Sequence, residues 1–494
     1  MFFRKNHIVL SIAIVTLFVA RQGEAQTNFK GRNFIQYEGA PYYINGHNVP
    51  WNKFGGDFGN HELWGSLYDS KWFENMFKES HENGVNVVRL WIHCDGRANP
   101  EFDENGFCTG FDPDFFMDLD DCFRLAQKYE IMIMPCLWSF DMCKDSRESA
   151  GEYAGNHQEL LTDSAKMESY LQKCFLPMVK RYANQCNLFA WEVCNEPEWS
   201  LDRKSIPADK DWAYQSYHVV PILAMQKLTA KMASIVHRYS KKMVTTGSAA
   251  IRWNSDVAPS GIVNLWSDKM LMEANENDPL SYLDFYQIHY YDHFKASGAD
   301  PYDTTRNIDY WKFDKPVLIG ETPASKEKSA YYTPDQMLEN ALKNGYAGTM
   351  FWCYEGGDGH GAWKDFKDAN KTFAQKHPQL VTPTEFPCLK LMPANLGLTS
   401  TKSDKEYKLD WSVLKFAWAG KFEFFSQNPD GSLSPLTVKI NQNGKNFNTI
   451  LSEEMVAKNN RFVLKQKDVF GYENQTKPFS INAEGIKTVS IQNP

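Results

Sequence analysis

The 494-residue chain has no Cys-x-x-Cys pair and no His/Cys cluster, which excludes the common structural zinc sites. It has no surplus of positive charge. Its 53 Lys and Arg stand against 61 Asp and Glu, a net charge of −8, so neither nucleic acid nor an anionic membrane is an expected partner. Past the first 20 residues no apolar run approaches the roughly 18 residues of a membrane span. Internal repeats and low-complexity tracts are also missing, which excludes solenoids and long unstructured linkers.

Arg4 and Lys5 precede an apolar stretch from Ile8 to Ala20, followed by Gly23-Glu24-Ala25 with small residues at the first and last positions. This is the layout of a secretory signal over residues 1–25, so a secreted, soluble protein is expected. Ten cysteines in an exported chain permit disulfides, although spacing does not reveal their pairing. Cys94, Cys136, Cys194 and Cys353 fall on expected strands and should be reduced and packed. Cys108 with Cys143, both off the strands, is the first choice for a bridge. Asn370-Lys371-Thr372 and Asn474-Gln475-Thr476 match the N-glycosylation pattern.

Short apolar runs recur at 42–44, 85–92, 131–138, 188–195, 243–246, 285–289, 317–320 and 349–353. Amphipathic stretches fall between them at 70–82, 113–129, 166–182, 214–239, 302–311 and 335–343, and 365–375 follows the last; the region 250–280 reads as loop. Strands nearly continuous in apolar residues, alternating with helices, imply a parallel sheet covered on both faces. Eight such units predict an α/β fold, a (β/α)8 TIM barrel over 27–378. From 379 the texture changes. Pro383, Pro387 and Pro393 punctuate a linker over 379–400, and short alternating runs with Asn/Gly turns predict an antiparallel β-sandwich over 401–494. Its pattern fits a sugar-binding module or a spacer equally.

Chemistry concentrates at two strand ends. The run Leu188-Phe189-Ala190-Trp191 leads to Asn195-Glu196-Pro197, and Val317-Leu318-Ile319-Gly320 delivers Glu321. One such glutamate is ordinarily a solvated loop residue. Two, each at the carboxyl end of a barrel strand where such active sites gather, match what glycosidic cleavage needs: one carboxyl group to protonate the leaving oxygen and one to attack or activate water.

With Arg89 in Val87-Val88-Arg89-Leu90-Trp91, His289-Tyr290-Tyr291 and Met350-Phe351-Trp352, the ordered set resembles glycoside hydrolase family 5, most of all its endo-β-1,4-mannanases, over residues 30 to 378. The resemblance implies a retaining enzyme with Glu196 as acid/base and Glu321 as nucleophile, their carboxyl groups about 5 to 5.5 Å apart. It places Arg89 beside Glu321, Asn195 on the sugar 2-hydroxyl, Tyr291 on Glu321, His289 in the same subsite and Trp352 beneath the reacting ring. Trp138 and Trp51 would be sugar platforms, with Trp199 and Trp363 further candidates.

The third strand departs from the family. Where many members carry a histidine, this chain has Cys136-Leu137-Trp138. The implied substrate is mannan, glucomannan or galactomannan, acted on by a monomer without cofactor or metal. A metal-dependent barrel hydrolase needs a His-x-His at the first strand, whereas Asn45-Gly46-His47-Asn48 has one histidine, and the adjacent His93-Cys94-Asp95 cannot all face one ion. A β-1,4-glucanase of the same family and a non-catalytic sugar-binding barrel are the alternatives.

Overall fold

The computed structural model describes residues 34–37, 40–144, 147–149, 152–202, 220–257, 263–381, 395–396, 398–412, 421–443, 446–467, 473–481 and 489–492. The expected signal segment, the start of the helix expected at 214–239, Cys388 and most of the expected linker lie outside these residues. Contacts divide the chain into two compact units, residues 1–119 with 130–386, and residues 120–129 with 387–494.

In the first unit eight strands close into a barrel: β1 (Ile44–Val49), β2 (Val87–Cys94), β3 (Met132–Ser139), β4 (Ala190–Asn195), β5 (Met243–Ser248), β6 (Tyr286–His289), β7 (Val317–Pro323) and β8 (Gly348–Trp352). Every neighbouring pair is parallel, β8 returning to β1. Nearly every strand residue is buried, the double-sided burial that continuous apolar runs encode.

Helices follow the strands: α1 (Ser70–Glu82), α2 (Phe115–Lys128), α3 (residues 164–182, with a π-turn at Leu171–Phe175), α4 (Ile222–Tyr239), α5 (Asp268–Ala274), α6 (Ile308–Trp311), α7 (Pro334–Asn344) and α8 (Trp363–Lys376). Local chemistry explains their ends. In α7 the Thr333 hydroxyl and the Gln336 side chain form a reciprocal capping box, Pro334 occupies the first turn, and Gly345 closes the helix at φ +89°. Its buried Met337, Leu338, Ala341 and Leu342 lie at helical spacing and form the inward stripe.

Two expectations fail here. Residues 250–280 do contain a helix, the seven-residue α5, whose Ser267 cap accepts from the Met270 amide; two turns are too short to show a period. The stretch 302–311 is helical only at Ile308–Trp311, because Asp303 turns the preceding chain by accepting from Thr305 N and Asn307 caps the helix late.

Cys94, Cys136, Cys194 and Cys353 are free and buried, but so are Cys108 and Cys143, so the bridge expected between them is absent. The thiol of Cys108 is hydrogen-bonded to Cys174 instead, and Cys186 is in a disulfide. Asn370 is fully buried within α8, so its glycosylation pattern cannot accept a glycan in the folded chain.

The second unit holds a six-stranded and a four-stranded antiparallel sheet. Leu409, Trp411 and Phe447 from one sheet and Phe422, Phe424 and Phe462 from the other join a single apolar core, which makes the pair a sandwich. The alternation buried/exposed along Lys421–Gln427 is the period of a strand with one face inward.

Candidate active site

Strand register places the chemistry in one layer near the carboxyl ends. Asn48 pairs with Arg89, Glu192 with Cys136, Asn195 with Gly247, His289 with Glu321, and Pro323 with Trp352. Register shifts fall between residues 91 and 94, 192 and 195, 288 and 289, and 319 and 322. Such irregularities re-aim side chains, and here they cluster where side chains must converge.

Glu196 leaves β4 in the left-handed region at φ +46°, its amide donating to Gly247 O at 2.6 Å. That sharp exit turns its carboxyl group into the barrel mouth. Trp199 Nε1 donates to Glu196 Oε2 at 2.8 Å, and His289 Nδ1 lies 2.9 Å from Oε1. Burial raises the Glu196 carboxyl to about 7, while Trp199 and Arg89 pull against that rise.

Glu321 lies within β7, and burial raises its carboxyl as well, although the Arg89 cation opposes part of that rise and stabilises the anion. Arg89 Nη1 donates to Glu321 Oε1 at 2.5 Å and Tyr291 Oη to Oε2 at 3.0 Å. The charge-assisted contact favours the carboxylate at Glu321, and the proton is left to Glu196. His289, lowered to about 4 by burial, is neutral; its Nδ1 faces both glutamates, 3.4 Å from Glu321 Oε2.

Arg89 is fully buried and spends every nitrogen. Nε and Nη2 grip Glu192 at 2.5 Å each, Nη1 also reaches Asn48 Oδ1 at 2.8 Å, and Nη2 reaches Asn195 Oδ1 at 2.8 Å. With its carbonyl oxygen on Arg89, Asn195 presents its amide nitrogen, a donor, to the cleft it lines. Trp352 turns its Nε1 to Asp358 at 2.5 Å and packs edge-on against Trp51, ring centres 5.7 Å apart.

Glu196, Glu321, Asn195, Tyr291, Trp352 and Trp51 all line one cleft of about 460 Å³, which Trp199 also borders. One carboxylate oxygen from each glutamate and a ring nitrogen of His289 lie within 4.8 Å of one another. This trio is the metal-capable cluster among the described residues, yet Arg89 already supplies the counter-charge that a divalent ion would bring to Glu321.

A family model described as "Cellulase (glycosyl hydrolase family 5)" matches residues 42–358, well over half of the chain. The chain belongs to glycosyl hydrolase family 5. Among its relatives, the mannan endo-1,4-beta-mannosidase of Mytilus edulis is 29% identical over 359 residues, 70% of this chain and 92% of that protein. The counterpart from Cryptopygus antarcticus is also 29% identical, over 66% of this chain and 84% of its own. The X-ray structure of the Mytilus edulis beta-mannanase matches with a TM-score of 0.57 at 25% identity, covering 69% of this chain and 96% of that one.

Within this family 5 barrel, Trp138 is a correction. It does not reach the cleft; it is 1% exposed and packs against His93 and Tyr170, ring centres 5.0 and 5.4 Å away. A tryptophan two residues from Cys136 shares its face by strand alternation alone, and here protein rings rather than the cleft enclose it. Trp363 opens α8 and packs on His47 and Tyr354, likewise away from the cleft residues. The sequence assigns no site role to Asn48, Glu192 or Gly247, because their partners come from other strands.

Gly247 carries its own prediction. A Cβ there would meet Glu192 Oε1 at 2.5 Å and His289 Nε2 at 3.0 Å. Gly247→Ala should therefore lower kcat by about 10²-fold with little change in KM, the usual consequence of displacing positioned groups by about 1 Å. Steady-state kinetics that match wild type would show that this layer tolerates displacement.

Trp199→Phe tests the electrostatics of Glu196. It removes the one indole donor on the carboxylate and so raises the carboxyl further. The alkaline limb of kcat/KM should move upward by about 0.5 to 1 pH unit. A downward shift would contradict the assigned hydrogen bond.

Proposed function

We propose that the protein is a secreted, retaining β-1,4-mannanase that cleaves internal linkages of mannan-type polysaccharides. The observation that carries this reading is the close pair Glu196 and Glu321, oxygens within 4.8 Å, in a cleft bordered by Trp51, Trp199 and Trp352. Retaining hydrolysis needs carboxyl groups about 5 to 5.5 Å apart so that one can attack directly, whereas inversion needs about 6.5 to 9.5 Å to admit water. The relatives' names supply the mannan.

In the first step a Glu321 oxygen bonds to the anomeric carbon as the glycosidic bond breaks, and Glu196 gives its proton to the departing oxygen. Glu196, now the carboxylate, takes a proton from water, which attacks the anomeric carbon and releases Glu321. The Asn195 amide donates to the 2-hydroxyl in this reading, a contact that strengthens as positive charge grows on the ring. Neutral His289 and Tyr291 hold the two carboxyl groups in register without adding a second cation.

Hydrolysis assayed on mannan, galactomannan, carboxymethyl cellulose and xylan tests the substrate. Mannan and galactomannan should be cut to mixed oligosaccharides. The family model's own description favours a second reading, a β-1,4-glucanase, which faster release from carboxymethyl cellulose would establish. No hydrolysis of any polymer would favour a binding protein.

A further inference from the structure

Glu192 lies on β4 ahead of Asn195 and Glu196, is fully buried and does not border the cleft. Both its oxygens are committed to Arg89, on Nε and on Nη2, and the Cys136 thiol lies 3.4 Å from Oε1. The third guanidinium nitrogen, Nη1, is the one that holds Glu321. A single cation thus serves two carboxylates.

We infer that Glu192 is a positioning residue that sets the pH window of the reaction, by limiting how much of the Arg89 charge reaches Glu321 and Glu196. The inference rests on the acid/base and nucleophile roles given above. A guanidinium shared bidentately with Glu192 is fixed in plane, so its remaining edge meets Glu321 in one geometry. The same sharing weakens its pull on Glu321, and a less strongly held carboxylate is the better nucleophile.

The groups facing this pair from each strand are few. Glu321 meets Arg89, His289, Tyr291 and Glu196, its charge also reaches Cys353, and Asp358 acts on Tyr291. Glu196 meets His289 and Trp199 directly and also feels Arg89, Asp141, Glu321, Tyr291, Glu198 and Glu192 itself. Glu192 meets Arg89 and Cys136, and its charge also reaches His289 and Cys194. Removing the Glu192 charge leaves Arg89 to the two catalytic groups alone and takes away one repelling anion. Both changes favour their ionised forms, so both limbs of the pH profile must move to lower pH.

The test uses the full chain. For Glu192→Gln, kcat/KM against pH on mannohexaose should show both limbs displaced downward by about one unit. On a dinitrophenyl β-mannobioside, whose leaving group needs no proton, the acidic limb alone should remain and move by the same amount. Should Glu192→Gln fail to fold, Cys136→Ser serves: its hydroxyl donates more strongly to Glu192, frees part of Arg89, and should shift the limbs downward by a smaller step. Limbs that stay in place in a folded variant overturn the inference, and a structural ion pair would leave them there. A wild-type profile with no bell shape would instead sink the roles of Glu196 and Glu321, so the two failures are distinguishable.

Discussion

Glu321→Ala should reduce hydrolysis of mannan by about 10⁴-fold or more, and added azide should restore part of the rate by yielding a glycosyl azide. The removed carboxylate is the group that Arg89 and Tyr291 hold at 2.5 and 3.0 Å, so its loss deletes the attacking atom and leaves room for a small anion. Because azide enters from the face that Glu321 vacates, the product should carry the anomeric configuration opposite to the substrate's. An azide product with the substrate's configuration would place the nucleophile elsewhere. An unrescued but folded variant with near-normal activity would remove Glu321 from the mechanism altogether.

Glu196→Gln has a different signature. General acid catalysis contributes about 10² to 10⁴-fold, and only where the leaving group needs a proton. The variant should lose that factor on mannan yet form the glycosyl-enzyme at nearly the wild-type rate from a dinitrophenyl mannoside, after which turnover stalls for want of a base. The pH profile gives the sign independently. Burial lifts the Glu196 carboxyl to about 7, so wild-type kcat/KM on mannan should fall as pH rises through that value and the catalytic proton is lost. The variant has no such proton, and its profile on mannan should lack the alkaline limb.

Much of this was legible in the chain because barrel strands carry two signals at once. A run such as Val317-Leu318-Ile319-Gly320 marks a strand buried on both faces, and the polar residue that ends it marks the functional rim. Glu196, Glu321 and Asn195 stood out for that reason. Asn48 and Glu192 did not, since their meaning comes from Arg89, 41 and 103 residues away, and a lone Glu inside an apolar strand announces only that some partner must exist.

Trp138 misled for the converse reason: an aromatic residue near a strand end has the same appearance whether it faces sugar or protein, and here His93, His157 and Tyr170 enclose it. Short helices failed through length. Seven residues in α5 and four in α6 give too few turns to reveal a stripe, and their Ser267 and Asn307 caps are equally good turn residues.

The central claim is direct attack by Glu321 across from a protonated Glu196. Peptide mapping after inactivation by a 2-deoxy-2-fluoro mannoside with a good leaving group tests it most directly. One sugar should be bound through an ester to Glu321, and the first free product from mannohexaose should keep the β configuration. A label on another residue, or no label together with an α product, would contradict the account.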